Sequence, residues 1–252
     1  MDKFSLQRSQ IGELVNENMI RAYVLHYFGI RFYEYPEKTL EEICNEKQLS
    51  VDRVILELES PTSLFPEENL PLITYPVDLI MEYLKHAHFI FIKRKLPYIA
   101  GLINSFRAEH EAYESIERDL KTSFPMFVED FIHHIYEEED SLFVYIKALD
   151  KAHRNKGNRS EVYFSMEKHS LQRFAMEHEV HDDEMEGIRR ITNEYFVNKE
   201  TPLHIKVIYS ELMDFEKALK IHARIENEIL FPKAMQLESE VRNAYREKIS
   251  LN

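Results

Sequence analysis

A histidine followed four residues later by a glutamate occurs twice in this chain, as His134 with Glu138 and as His222 with Glu226. Both residues of the pair recur at the same offset of 88 (222−134 and 226−138), and a Leu-Phe pair follows each copy at the same distance. Residues four apart on a helix leave the same face, with Cβ atoms about 5–6 Å apart. Imidazole and carboxylate groups are both metal ligands. The repeat therefore predicts two helices that face a shared metal site.

Two further helices are expected to supply the remaining ligands of this site. One offers His88, with His86 as the alternative, and the other offers His178 with Glu177 beside it. The separations between the paired candidates are similar in the two halves of the chain (134−88 is 46 and 222−178 is 44). Antiparallel helices bring side chains to one level only when these lie at matching distances from the connecting turn. The spacing therefore predicts that the candidates of both halves meet at one depth.

The types of ligand restrict the metal. Four imidazoles and two carboxylates without a thiolate are too many for one tetrahedral zinc ion, and an all-oxygen site of the calcium or magnesium kind is absent. Mixed nitrogen and oxygen ligation suits iron, with manganese possible, and two such ions need roughly twelve positions. Four histidines, two bridging glutamates and a bridging oxide or hydroxide fill about ten of these. Water, His110 or Glu177 could fill the rest, or O2, NO or peroxide could bind there.

A ferritin-like di-iron site is the competing interpretation. Such sites combine Glu-x-x-His motifs with single glutamates and are rich in carboxylates. In this chain the order is reversed, with the histidine first, and imidazoles outnumber carboxylates. The segment from Asp130 to His133 approaches the ferritin pattern, but it occurs once. The pattern therefore favours an imidazole-rich centre.

Helical periodicity and proline placement predict an all-α protein. Residues 1–60 are predicted to form a small helical domain, residues 61–76 a proline-rich linker, and residues 77–252 an up-down-up-down four-helix bundle. In the first domain we expect a helix over residues 11–27 that stops at Gly29, and a capping box of Thr39 with Glu42. The four bundle helices are predicted at about residues 77–110, 111–152, 161–196 and 202–229. We expect a kink at Pro97 in the first and a candidate break at Phe124-Pro125 in the second. A last helical segment is predicted beyond Phe231-Pro232.

Composition excludes several classes of function. The formal net charge of −13 disfavours binding to nucleic acid or to anionic membranes. No run of about 18 apolar residues and no signal peptide are evident, so we expect a soluble cytoplasmic protein. The single cysteine, Cys44, rules out an internal disulfide and a cysteine-rich metal site.

The chain resembles the hemerythrin-like (HHE) di-iron proteins and, more narrowly, the repair-of-iron-centres (RIC) group. The resemblance lies in the two His-x3-Glu motifs with their Leu-Phe pairs, in Glu177-His178-Glu179, in Leu96-Pro97 with His110 thirteen residues later, and in Phe28-Gly29-Ile30 of the N-terminal domain. It implies a bundle that holds a non-haem di-iron centre and acts in recovery of iron–sulfur clusters under nitrosative or oxidative stress. Small ligands such as O2 and NO, and damaged iron–sulfur proteins, would be its partners.

Two departures from that group leave alternatives open. Tyr33-Glu34-Tyr35 stands where the group usually has adjacent cysteines, and His88 lies nine residues before Pro97 rather than eight. An O2- or NO-binding sensor or storage protein without repair activity is therefore the second hypothesis, and a bundle that has lost its metal and acts as a scaffold is the third. A homodimer is also conceivable, with Phe32, Tyr33 and Tyr35 as exposed contacts.

Overall fold

The computed structural model describes residues 3–59, 72–154, 162, 166, 171–180 and 183–250, without the side chains of residues 3, 4, 173, 177–180 and 247–250. Regular secondary structure in the described part of the chain is helical, apart from one isolated bridge between Gln10 and Thr39. This confirms the all-α prediction. None of the described helices is both long enough and apolar enough to cross a membrane.

Five short helices form the N-terminal unit: α1 (Lys3–Arg8), α2 (Ile11–Glu17), α3 (Ile20–Tyr27), α4 (Leu40–Glu46) and α5 (Val51–Glu59). The expected single helix over residues 11–27 is wrong, because the chain leaves the helix at Asn18, whose side chain accepts the N–H of Ile20. Gly29 ends α3 with a positive φ of 71°, as only glycine does readily. The capping box of Thr39 and Glu42 starts α4 as expected.

The bundle consists of four rods, of which three are continuous. A short 3-10 turn (Leu72–Thr74) precedes them. Rod 1 consists of α6 (Val77–Ile90), the π turn π1 (Phe91–Lys95) and α7 (Leu96–Ser105). Rod 2 consists of α8 (Glu111–Glu137), the π turn π2 (Glu138–Leu142) and α9 (Phe143–His153). Rod 3 consists of α10 (Leu171–Val180) and α11 (Glu186–Ile191), and rod 4 consists of α12 (Leu203–Ile225), the π turn π3 (Glu226–Leu230) and α13 (Phe231–Ser250).

Neighbouring rods run antiparallel. The start of rod 1 packs against the end of rod 2, and the end of rod 1 packs against the starts of rods 2 and 4. In rod 3, α10 packs against α13 at the end of rod 4, and α11 packs against α8 in the first part of rod 2. Rod 3 therefore also runs antiparallel to rods 2 and 4. The observed packing in the described residues is that of an all-α helical bundle, which the helix pattern predicted.

Proline does not break the rods where the sequence suggested breaks. Pro125 lies inside the uninterrupted helix α8, so the candidate break at that position is wrong. Pro97 and Pro232 each occupy the second position after a π turn. A proline lacks the N–H for the carbonyl four residues back and its ring crowds that carbonyl. A wider turn before the proline lets the rod continue. The π turn of rod 2 has no such proline, so proline is not the general cause.

The N-terminal unit packs directly on the bundle. Tyr33 stacks on His204 of α12 at 4.8 Å between ring centroids, and Phe32 contacts the same ring at 5.6 Å. Phe32 is buried and Tyr33 is half-buried against a core that continues into α7 and α12. The expectation that these aromatic rings are exposed is therefore wrong, because the chain's own bundle covers them.

Two apolar clusters make up the core of the described part of the chain. One joins the N-terminal unit to the end of the bundle that contains Phe91, Phe131 and Phe215, and the other fills the opposite end around Phe143 and Phe231. Between these clusters lies a layer of buried histidine and glutamate side chains.

Candidate metal centre

Four buried or half-buried side chains from three rods converge between the two apolar clusters: His88, Glu138, His222 and Glu226. One ligand atom from each can be chosen so that all four lie within 4.8 Å of one another. His88 comes from the last turn of α6, and His222 from the last turn of α12. Each glutamate is the first residue of a π turn, π2 or π3. π turns inside helices occur frequently at functional sites.

The distances within the cluster are those of direct contacts. The Nε2 atoms of His88 and His222 are 2.7 Å apart. Nε2 of His88 lies 3.4 Å from Oε2 of Glu138, and Nδ1 of His222 lies 3.2 Å from Oε2 of Glu226. Because these nitrogen and oxygen atoms face one small volume, a single cation placed there could bind several of them together.

His134 extends the cluster through Glu138. Its Nε2 lies 3.1 Å from Oε1 of Glu138, while the other oxygen of that carboxylate faces His88. The two oxygens of one carboxylate are thus directed to imidazoles on two different rods. A carboxylate in this position could bridge two cations, one beside His88 and His222 and one beside His134.

Burial makes a cation in this layer chemically reasonable. Glu138 is 2% exposed and Glu226 is 0% exposed. Burying carboxylates is costly unless opposite charge compensates them. Burial alone would lower the pKa of His88, but the hydrogen bond and charge of Glu138, with Glu139 and Glu226, outweigh it and raise this pKa. The cluster therefore attracts positive charge, either protons or metal ions.

Aromatic rings shield the cluster on both sides. Phe143 stacks on His88 at 5.9 Å, and Phe91 meets His222 edge to face at 5.7 Å. Phe231 is also buried. Phe89, which follows His88 in the sequence, is 52% exposed and points away from the core. It lies about 100° around the helix from His88.

Sequence reasoning missed Glu139. Its Oε1 lies 2.7 Å from Nδ1 of His88, across the interface between rods 2 and 1. In the sequence it stands inside the acidic run Glu137-Glu138-Glu139-Asp140, which is typical of a solvated face. The only signal was its place beside Glu138, because helical periodicity does not indicate which acidic side chain crosses to a neighbouring rod.

The structure does not bring every candidate to this layer. His86 is exposed on α6, about 200° around the helix from His88. His110 is exposed and precedes α8 as its N-cap, so about 24 residues of helix, or about 36 Å, separate it from His134. Glu177 and His178 belong to α10, but their side chains lie outside the described residues.

A cavity of about 840 Å³ between rods 2 and 3 reaches the cluster. His134 and Glu138 lie on its wall, together with the apolar side chains of Phe127, Phe131 and Ile188. A small molecule in this cavity would contact the side of the cluster that carries His134. Access to the centre therefore does not require opening of the two apolar clusters.

The donor set fits iron or another borderline metal. Imidazole nitrogens and carboxylate oxygens suit such ions, whereas a thiolate is absent from the described cluster and the one cysteine, Cys44, is buried in the N-terminal unit. Three rods supply the described ligands, and the carboxylates are held deep in the bundle. The geometry and chemistry together define a candidate metal-binding site of histidine and glutamate residues.

The fold and the site define a class of protein, an all-α helical bundle with a buried His/Glu group that could hold a metal ion. Among known proteins, the chain is similar to the iron-sulfur cluster repair protein YtfE of Yersinia pseudotuberculosis serotype IB (strain PB1/+). The two are 21% identical over 203 residues, which cover 80% of this chain and 85% of that protein. No protein-family model matches the chain. The similarity is distant and supports, at most, a relationship with hemerythrin-like repair proteins.

Proposed function

We propose that this protein holds two iron ions in the His/Glu layer and acts in recovery of iron–sulfur clusters damaged by nitric oxide or oxidants. The observation that carries the proposal is the position of Glu138, whose two oxygens face His88 and His134 at 3.4 and 3.1 Å. The similarity to a protein named for iron–sulfur cluster repair supports the same function. When bound, the iron pair would supply redox-active Lewis-acid positions for O2 or NO, or Fe²⁺ for release.

The proposed ligands fall into two groups around Glu138. His88, His222 and Glu226 would hold one ion together with Oε2 of Glu138. His134 and Oε1 of Glu138 would hold the other. His178 and Glu177 remain proposed ligands of this second ion on the basis of their sequence positions. His86 and His110 are the weaker candidates because both are exposed away from the layer.

The residues around the centre control access and protons. Phe91 and Phe143 exclude water from the faces of His222 and His88. Glu139 accepts a hydrogen bond from Nδ1–H of His88, since an ionised carboxylate can only accept. This bond leaves Nε2 of a neutral ring available to a metal. The cavity beside His134 offers a route for a small ligand. These features match a centre that binds a diatomic molecule while its ligands stay ordered.

Metal analysis followed by a reactivation assay tests the proposal. Protein purified without oxygen would be analysed for iron and manganese, and then added to an iron–sulfur enzyme inactivated with NO. We expect recovery of the enzyme beyond that given by an equal amount of ferrous salt. Recovery equal to that with the salt would contradict the repair function, and absence of bound iron and manganese would favour the scaffold hypothesis.

An O2- or NO-binding sensor or storage protein is the second candidate. Tyr33 stands where the related group has a cysteine, and its ring packs on His204 instead of offering a thiol. A protein of this kind would form reversible O2 or NO adducts and keep its iron during repeated cycles. Recovery of the inactivated enzyme separates the two candidates. Iron content measured before and after the assay then distinguishes repair by iron donation, which requires loss of iron, from repair by NO or O2 chemistry at the centre.

A further inference from the structure

Glu139 has a role in the centre that its neighbours in the acidic run do not share. Its carboxylate accepts a hydrogen bond of 2.7 Å from Nδ1 of His88, a residue 51 positions away on rod 1. The His88 side chain is 2% exposed, whereas that of Glu139 is 31% exposed. The carboxylate therefore stays in contact with water while it holds a buried ring. A short bond to a charged acceptor is stronger than a neutral one.

We propose that Glu139 is a positioning residue that makes the two halves of the metal centre chemically unequal. The inference rests on the proposed di-iron site. With Nδ1 bound to Glu139, the neutral His88 ring presents Nε2 toward His222 and Glu138. A carboxylate partner fixes the orientation of a metal-binding imidazole and raises its basicity. The ion beside His88 would thus bind more tightly and be harder to reduce than its neighbour.

The two copies of the internal repeat differ at the position of Glu139. Glu139 is the second residue of π2, and Asn227 is the second residue of π3 at the same offset of 88 (227−139). The repeat keeps Glu138 and Glu226 as identical carboxylates but replaces the following glutamate with an amide. An amide oxygen can accept a hydrogen bond but carries no negative charge. At this position the first copy of the repeat therefore has an acidic side chain and the second copy has a neutral one.

Metal titration and Mössbauer spectroscopy of the full chain test this inference. Glu139→Gln keeps an acceptor and removes the charge, and Glu139→Ala removes both. We expect the affinity for Fe²⁺ at the tighter site to fall about tenfold in the first variant and up to about 100-fold in the second. The wild type loaded with ⁵⁷Fe should show two distinct iron signals, which should approach each other in Glu139→Gln.

Glu137→Gln is the matched control. It makes the same change of charge two residues before Glu139, and the Glu137 side chain is 62% exposed. It should leave both the affinity and the spectrum unchanged. If Glu139→Gln and Glu137→Gln gave the same affinity and spectrum, the inference would be overturned while the di-iron site remained. A wild type that binds no iron would overturn both. Two iron ions without cluster repair would contradict the repair function alone, and the comparison of variants would still decide the role of Glu139.

Discussion

The Nε2 atoms of His88 and His222 lie 2.7 Å apart, although 134 residues separate the two histidines in the chain. Two imidazole nitrogens approach so closely when a proton lies between them or when both face a cation to one side, because two lone pairs alone repel. The pair joins rod 1 to rod 4 at the level where Glu138 and Glu226 are buried. This relationship marks the position at which an ion would connect the rods, and several predictions depend on it.

Replacing His88 should reduce metal binding, whereas replacing its exposed neighbour His86 should not. His88→Gln removes a nitrogen that faces His222 and Glu138. We expect the iron content per chain to fall by about half or more, because metal affinity depends directly on the ligand set. Elemental analysis after gel filtration measures this. Equal iron content in His88→Gln and His86→Gln would show that the layer is not the binding site.

Replacing His134 tests the second ion separately. His134→Gln removes the imidazole that faces Oε1 of Glu138, whereas His133→Gln changes a side chain that is 74% exposed. We expect His134→Gln to lose about half of the bound iron and His133→Gln to retain all of it. Fe²⁺ titration with each variant gives the stoichiometry. A full complement of iron in His134→Gln would restrict the centre to the cluster around His88.

The stability of the metal-free protein should fall as the pH falls below about 6.5, in part because of His204. Burial lowers the pKa of His204 to about 4, and Lys121 also lowers it, although the bond to the Leu102 carbonyl acts in the opposite direction. As the pH falls below the unfolded-state pKa of histidine, His204 binds a proton in the unfolded chain. In the folded chain it binds that proton only near pH 4. The stability therefore decreases with falling pH over this window.

The expected loss attributable to His204 between about pH 7.5 and about pH 5 is on the order of 2 kcal/mol. Urea unfolding at both values would measure it. In His204→Gln, the decrease in the free energy of unfolding between these pH values should be smaller by this amount. The His153 side chain is 45% exposed, so His153→Gln should show the same decrease as the wild type. A pH dependence unchanged in His204→Gln would contradict the assignment.

The buried ion pair of Lys95 and Glu211 should be sensitive to loss of one partner. Lys95 in π1 donates to Glu211 in α12 at 2.8 Å, and both are nearly inaccessible to solvent. Tyr23 of the N-terminal unit lies over the Lys95 ammonium at 5.0 Å. Lys95→Met would leave a carboxylate whose pKa burial already raises. We expect a loss of about 3 kcal/mol or more in the free energy of unfolding.

The double variant Lys95→Met with Glu211→Leu distinguishes the pair from simple packing. Removing both charges should recover much of the stability, since apolar residues of similar volume often replace a buried pair at little cost. A double-mutant cycle by urea unfolding provides the comparison. If the two single losses simply added in the double variant, the ion pair would not be the source of the effect.

The 88-residue repeat predicted candidate ligands, and the structure brings three of its residues, Glu138, His222 and Glu226, into one cluster with His88. His134 with Glu138, and His222 with Glu226, lie on single helix faces because the spacing of four residues is fixed by helix geometry. The structure also places His88 in the layer, as the repeat and the spacing suggested. The choice between His88 and His86 needed the packing of α6, since only burial shows which face of that helix points inward. The domain boundaries and the complete ligand set remain predictions.

The amino-acid sequence by itself determined the helical class and the pairs of candidate ligands, because both depend on local periodicity and on residue type. Only the tertiary structure decided that Glu139 crosses to His88, that Tyr33 packs on the bundle, and that each π turn of rods 2 and 4 begins at a buried glutamate. These features depend on the depth and rotation of one rod against another. Such relative placement arises from packing among distant segments, which no local spacing in the chain encodes.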